Sequence, residues 1–265
     1  MKQIIKFPLF ILFLCLSLQV AAQELDEKAA RSETKNESTD NEHKMNIFKV
    51  NLTALPLKNF SIQYERVLQK KISVALNIRF MPSGDLPFKN SLNDAANGDP
   101  DIEKAINNAQ MGNFSITPEF RFYPGKSGYG RGFYIAPYYR YAKFTADAIP
   151  IDYTALTTTK TITLKGDLTT HTGGLMIGAQ WFLGKYVTLD WWILGAHYGA
   201  GNGSFVGTPS APFDTLEQDD IRQTIESIDL PVGNIKAEVT SNAAKAIFDG
   251  PWGGLRGALT IGIRF

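Results

Sequence analysis

The sequence predicts an all-β fold: an eight-stranded, antiparallel, up-and-down transmembrane β-barrel with a partly helical extracellular loop. Three observations carry this expectation. Eight segments alternate apolar and polar residues with a period of two. Charges fall on only one parity of those segments, and the connections between them alternate between short and long.

The chain opens on a different pattern. Lys2 and Lys6 precede an apolar run from Phe7 to Val20, and Val20, Ala21 and Ala22 are small enough for cleavage. Charge, apolar core and small-residue site in that order predict a secretory signal peptide over residues 1–22. The lone Cys15 sits inside this run behind Leu14, where a lipoprotein signal wants a small residue. A mature chain would hold no cysteine, which excludes disulfides, a thiolate nucleophile and a cysteine zinc site. Residues 23–45 are polar and acidic without apolar period, the composition of a disordered leader. The barrel is then expected over residues 46–265.

Its strands follow in order. Phe48, Val50, Leu52 and Ala54 alternate with Lys49, Asn51 and Thr53, and Phe60, Ile62 and Tyr64 with Ser61, Gln63 and Glu65. Val74, Leu76, Ile78 and Phe80 alternate with Ser73, Ala75, Asn77 and Arg79. Phe114, Ile116, Phe120 and Phe122 oppose Ser115, Thr117, Glu119 and Arg121. Ile135, Tyr139 and Tyr141 oppose Tyr134, Tyr138 and Arg140, while Leu175, Ile177 and Trp181 oppose Met176, Gly178 and Gln180. Val187, Leu189, Trp191 and Ile193 oppose Thr188 and Asp190. The last strand sets Leu255, Leu259, Ile261, Ile263 and Phe265 against Arg256, Thr260, Gly262 and Arg264. It is expected to close against residues 48–52, with the terminal aromatic Phe265 serving as an assembly signal. Pro118 and Pro137 fall inside strands, where they point to bulges.

Net charge is +1 and 44% of residues are hydrophobic, as in many soluble proteins. No later run of ~18 apolar residues is present to cross a bilayer as a helix. Alternating strands escape such a search because every second residue is polar. Residues 69–71, 124–131 and 184–185 make short turns, whereas 82–112, 145–167 and 199–253 make long loops. With the N-terminus in the periplasm, each long loop falls outside; only the short connection 55–59 departs from the pattern. A soluble lipocalin-like barrel, the competing architecture, would turn the apolar parity inward.

Nine charges face the predicted lumen: Lys49, Glu65, Arg79, Glu119, Arg121, Arg140, Asp190, Arg256 and Arg264. Isolated buried ions cost several kcal/mol each, so these should form a hydrogen-bonded network with Tyr134, Tyr138 and Gln180. An eight-stranded barrel leaves room only for side chains, which predicts a plug. The excess of six basic over three acidic groups alternatively suggests a narrow anion-preferring pore. Interfacial girdles are expected from Phe122, Tyr123, Phe133, Trp181, Phe182, Tyr186 and Phe265 at the periplasmic end, and from Phe80, Tyr141, Phe144 and Tyr198 at the outer end.

Within the loop 199–253, Asp214 and Glu217 fit a helix capping box. Ile221, Ile225 and Ile228 recur at helical spacing until Pro231, and Ile235, Ala237 and Val239 then resume period two as a short hairpin. Residues 161–166 suggest a sixth strand that projects beyond the membrane. His171 and His197 form the one chemistry-capable pair: with a three-residue turn at 183–185, both face outward near the outer rim. The plainer expectation is interfacial histidines without a special role; the alternative is a rim site where the two imidazoles bind a metal or a lipid phosphate, or one acts as the base of a lipid-modifying enzyme. Gly173 and Gly199 stand where a lipid-A deacylase places a serine, so the nucleophile is missing.

Residues 51–66, 116–123, 133–138, 189–195 and 249–252 resemble a family of small Bacteroidota outer-membrane barrels described only as a domain of unknown function. The stretch from Leu189 to Tyr198 is the most specific. The architecture is also similar to the OmpA-type and OmpX-type membrane barrels, without a peptidoglycan-binding domain. The resemblance implies a cell outer-membrane location and no activity, cofactor or catalytic residue. The expected function is structural or in cell-surface recognition, non-enzymatic and without cofactor or metal. Expected partners are outer-membrane lipid and lipopolysaccharide, the barrel-assembly machinery and a surface partner met through 199–253. No nucleic-acid stripe is present, and a monomer is expected.

Overall fold

A computed structural model describes residues 44–155, 158–227 and 234–265. The expected signal peptide and nearly all of the leader lie outside the described residues, as do Ile228 and Pro231. Eight strands form the ring: β1 (Asn46–Asn51), β2 (Phe60–Gln69), β3 (Ile72–Asp85), β4 (Gln110–Phe122), β5 (Gly132–Ala155), β6 (Thr158–Leu183), β7 (Val187–Pro209) and β9 (Ala243–Arg264). Each pairs antiparallel with its neighbour, and β1 closes on β9. The closing register is the expected one: Phe48 lies opposite Ile263 and Val50 opposite Ile261. Asn46 and Phe265 exchange backbone hydrogen bonds at 3.0 and 2.9 Å.

Strand β8 (Asn234–Thr240) stands outside the ring, and its position has a physical cause. The short first connection ends β1 at Asn51, a 3₁₀ turn at Leu55–Leu57 following, so β1 covers only the last residues of β9. The upper part of β9, from Ala243 to Asp249, would present an unpaired edge. Strand β8 pairs with that segment and covers it.

Burial follows the predicted parity along the ring strands, except beyond Ile193 in β7. Strand β2 alternates exposed and buried residues from Phe60 to Leu68, and β4 does so from Phe114 to Phe122. The direction is outward for apolar side chains: Ile62, Leu76, Phe120, Trp191 and Ile261 are all about 40% or more exposed, while Lys49, Glu65, Arg121 and Asp190 are at 5% or less. Along the outward parity of the ring, residues 48–52, 60–64, 74–80, 114–122 and 135–141 carry no Asp, Glu, Lys or Arg.

The prolines do not make bulges. Strand β4 keeps one register with β5 through Ile116–Tyr141, Glu119–Tyr138 and Phe122–Ile135, and Pro118 and Pro137 pair in unbroken registers with Leu76 and Leu175. The bulges lie elsewhere, at Val67/Gln69, Met81/Gly84, Ala146/Ile149 and around Ile193.

The expected loops are mostly strand. Strand β6 has 26 residues, rising ~85 Å at about 3.3 Å per residue, where ~10 residues cross a bilayer. The sixth strand extends far past β1 and β2, and β5, β7 and β9 rise beside it. Gly199 and Gly203, expected in a loop, belong to β7: a Cβ there would meet the β6 backbone at His171 and Asp167. Helix α1 (Lys89–Ala95) and helix α2 (Pro100–Asn108) fill the first long connection, expected as a loop. Leu86, Ile106, Ala109, Met111 and Ile149 pack them on the β3–β5 extension. Helix α3 (Thr215–Glu226) begins with the predicted capping box, Asp214 accepting from the Glu217 amide at 2.8 Å and Glu217 from the Asp214 amide at 2.8 Å. Its Ile221 and Ile225 pack on Phe213, Val239 and Ala244.

Candidate functional site

The lumen divides into two levels. At the end with the short turns, β1, β2, β4 and β7 each contribute an inward charge at matching height. Lys49 donates to Asp190 at 2.6 Å and also to Glu65 and Gln180. Arg121 donates to Asp190 at 2.7 Å, to Glu65 at 3.2 Å and to Glu119 at 2.8 Å. Tyr123 and Tyr134 donate their hydroxyls to Glu65 and Asp190 at 2.7 and 2.8 Å, and Trp192 donates its indole N–H to Asp190 at 3.2 Å. Arg256 completes the set with Glu119 at 2.9 Å. Lys49, Arg121 and Arg256 thus face Glu65, Glu119 and Asp190, three cations against three carboxylates. Charge balance and dense hydrogen bonding are what burial of ions requires.

Aromatic rings fit around these ions. Arg121 lies 4.4 Å from the Tyr134 ring centroid, and Arg256 sits between Tyr138 and Trp192 at 4.8 and 4.5 Å. Gly174 and Gly178 on β6 leave space for the Tyr138 and Tyr134 rings, where any Cβ would collide. Tyr123, expected in the girdle, is fully buried here, and Phe182 lies beneath Arg264 at 3.9 Å. Both correct the girdle expectation, because inward parity continues to the last residues of β4 and β6.

Nearer the long loops the balance fails. Arg79 and Arg140 are 5% and 7% exposed, and neither has a carboxylate within ion-pair distance among the described residues. Arg79, Arg140 and Arg256 repel one another across this level. The Nε atoms of Arg79 and Arg256 and Nδ1 of His197 are buried without a hydrogen-bond partner. A cavity of about 110 Å³ opens above them, floored by Arg140, Arg256 and His197. Leu86, Phe88, Phe144 and Trp252 supply apolar wall. Phe144, also expected in the outer girdle, is inward and lies tilted against Trp252, with ring centroids 6.1 Å apart.

The histidines are not a pair. Strands β6 and β7 run in one register from Leu183–Val187 to Gly178–Trp192, then shift at Ile193. Beyond the shift His171 lies opposite Ala200, and His197 opposite Gly174. The extra residue reverses parity. His197 therefore turns into the lumen, against Tyr138 at 6.3 Å, while His171 stays outside between Tyr139 and Tyr141. Tyr139 and His171 Nδ1 share a hydrogen bond at 2.5 Å. The sequence reading missed this inward histidine, since Trp191, Trp192, Ile193 and Leu194 are all apolar and conceal a shift of phase.

Among the described residues, no group of three or more His, Cys, Asp and Glu side chains is placed to hold a metal. No described helix is long and apolar enough to cross a membrane, which does not bear on strands. Outside the ring, Lys104 on α2 bonds Asp152 on β5 at 2.6 Å, and Thr161 donates to the same carboxylate at 2.6 Å. Lys104, then Thr161, holds the Asp152 carboxyl below its ordinary range.

A closed, eight-stranded antiparallel ring with an ionic interior defines the class of protein. The chain belongs to the family described as a protein of unknown function (DUF3575), whose profile matches residues 9–204. No curated protein and no solved structure matches the chain.

Proposed function

We propose that this chain is a monomeric outer-membrane β-barrel, delivered by the signal at 1–22, that serves a structural or recognition role at the cell surface. One observation carries the reading. The outward parity of the closed ring is apolar and free of formal charge over residues 48–52, 60–64, 74–80, 114–122 and 135–141, while the inward parity holds paired ions, the inverse of a water-soluble barrel. The likeness to small Bacteroidota barrels points to the same compartment. Trp181, Tyr186 and Phe133, exposed at the short-turn end, and Phe80 and Tyr198 toward the other, suit the two interfaces.

Lipid and lipopolysaccharide would then surround the wall, and the barrel-assembly machinery would insert it. The lumen is closed in this reading by the fully buried Lys49–Glu65–Arg121–Asp190 set, with no role as a pore and no enzymatic step. The strand extensions, with α1, α2 and α3 packed on them, would give a rigid external platform for a partner. Migration of the unheated and heated chain on gels, with partitioning into lipid, tests the reading. A heat-sensitive compact band in the lipid phase is expected; a chain that stays in the aqueous phase as a soluble barrel overturns it.

A further inference from the structure

The upper lumen combines features that a plug does not need. A structural interior would pair its cations, as the level below does. Here Arg79 and Arg140 are buried without carboxylates, Arg256 spends only part of its guanidinium on Glu119, and His197 adds an unsatisfied ring nitrogen. Burying like charges together is costly unless something negative joins them. The space beside them is not filled by any described residue: the cavity is lined by Arg140, Arg256 and His197 and walled by Phe144 and Trp252. The strand register at Ile193 is what turns His197 inward to this floor.

From this geometry we infer that the upper lumen is a binding site for a small amphipathic organic anion. Its carboxylate-type head would lie on Arg140, Arg256 and His197, and its hydrocarbon body against Phe144 and Trp252. The head would accept from guanidinium donors that now lack an acceptor, and a bidentate contact suits a planar carboxylate. The cavity of about 110 Å³ is smaller than the dry cavity of about 150 Å³ that holds benzene, so a body of roughly one six-membered ring would fill it and extend toward its mouth. Access is from the long-loop side, past Leu86 and Phe88 ahead of α1. The level beneath is fully buried, so the site is a blind pocket and not a conduit. The inference depends on the lumen alone and not on where the barrel resides.

Calorimetric titration of the folded full chain in a non-ionic detergent tests it with three probes. Cyclohexanecarboxylate carries head and body, acetate the head alone, and cyclohexylmethanol the body alone. Cyclohexanecarboxylate is expected to bind at least roughly tenfold more tightly than either fragment, the scale of one charged hydrogen bond. It should also raise the melting temperature, as any ligand of the native state does. Arg140→Gln should weaken that binding by roughly tenfold or more, and Lys143→Gln, on the outside of β5, should leave it unchanged. Absence of binding, equal binding of the neutral alcohol, or binding unaltered in a folded Arg140→Gln barrel overturns the inference. If Arg140→Gln does not fold, the wild-type comparison of carboxylate with alcohol decides. A soluble chain that still binds the carboxylate would overturn the membrane reading and leave the site intact.

Discussion

The two levels of the lumen are built from the same strands with the same parity, yet they solve opposite problems. Near the short turns, every buried cation meets a carboxylate and the rings of Tyr123, Tyr134 and Trp192 fill what is left. Near the long loops, Arg79 and Arg140 go unmatched and a cavity remains. The difference teaches where stability resides and where it has been relinquished. A fully satisfied ionic core specifies the fold, whereas buried cations without a carboxylate mark a place suited to a ligand.

The largest effect should come from breaking the satisfied level. Asp190→Ala removes the acceptor shared by Lys49, Arg121, Tyr134 and Trp192 and leaves three buried cations against two carboxylates. A loss of about 3–5 kcal/mol is expected, read from urea unfolding of the folded barrel. Gly178→Ala should follow at about 1–3 kcal/mol, because the new methyl group and the Tyr134 ring claim one space. Its unfolding midpoint, compared with Gly173→Ala where the added carbon meets nothing, isolates that clash.

The same assay applied to the unmatched level should give the reverse sign or nothing. Arg140→Gln relieves repulsion with Arg79 and Arg256 and breaks no ion pair, so its stability should stay within about 1 kcal/mol of wild type or rise. A loss as large as that of Asp190→Ala would erase the contrast between levels. The smallest effect concerns the external platform. The Asp152 carboxyl is held low in the folded chain, so its contact with Lys104 contributes above the ordinary carboxylate range, near pH ~4. That contribution is lost as pH falls through the folded value. The protection factors of the α2 amides, taken against the intrinsic exchange rate at each pH, should therefore fall modestly on acidification below pH ~4, and Asp152→Asn should show the lower protection already at neutral pH.

Much of this contrast is legible in the sequence, but not its position. Inward charges and the closing register of β9 on β1 follow from period two, since burial of one parity leaves a one-residue slip nowhere to go. Gly199 and Gly203 read as a loop because glycine marks turns; in the fold they admit close approach of β6. Helix α2 had a signal in Asp99 and Pro100, a cap and a first-turn proline, with Asp99 accepting from the Ile102 amide at 3.2 Å. The bulge at Ile193 had none. A run of four apolar residues has no parity to lose, and on that one residue depends whether His197 joins His171 or the arginines.

An accessibility scan along β3, with spin labels at cysteines replacing Val74, Ala75 and Leu76 one at a time in lipid vesicles, tests the inverted barrel most directly. Labels at 74 and 76 should be relaxed by dissolved oxygen and shielded from a water-soluble nickel complex, with the label at 75 shielded from both. Nickel access at 74 and 76, or oxygen access confined to 75, would contradict an apolar wall around an ionic core.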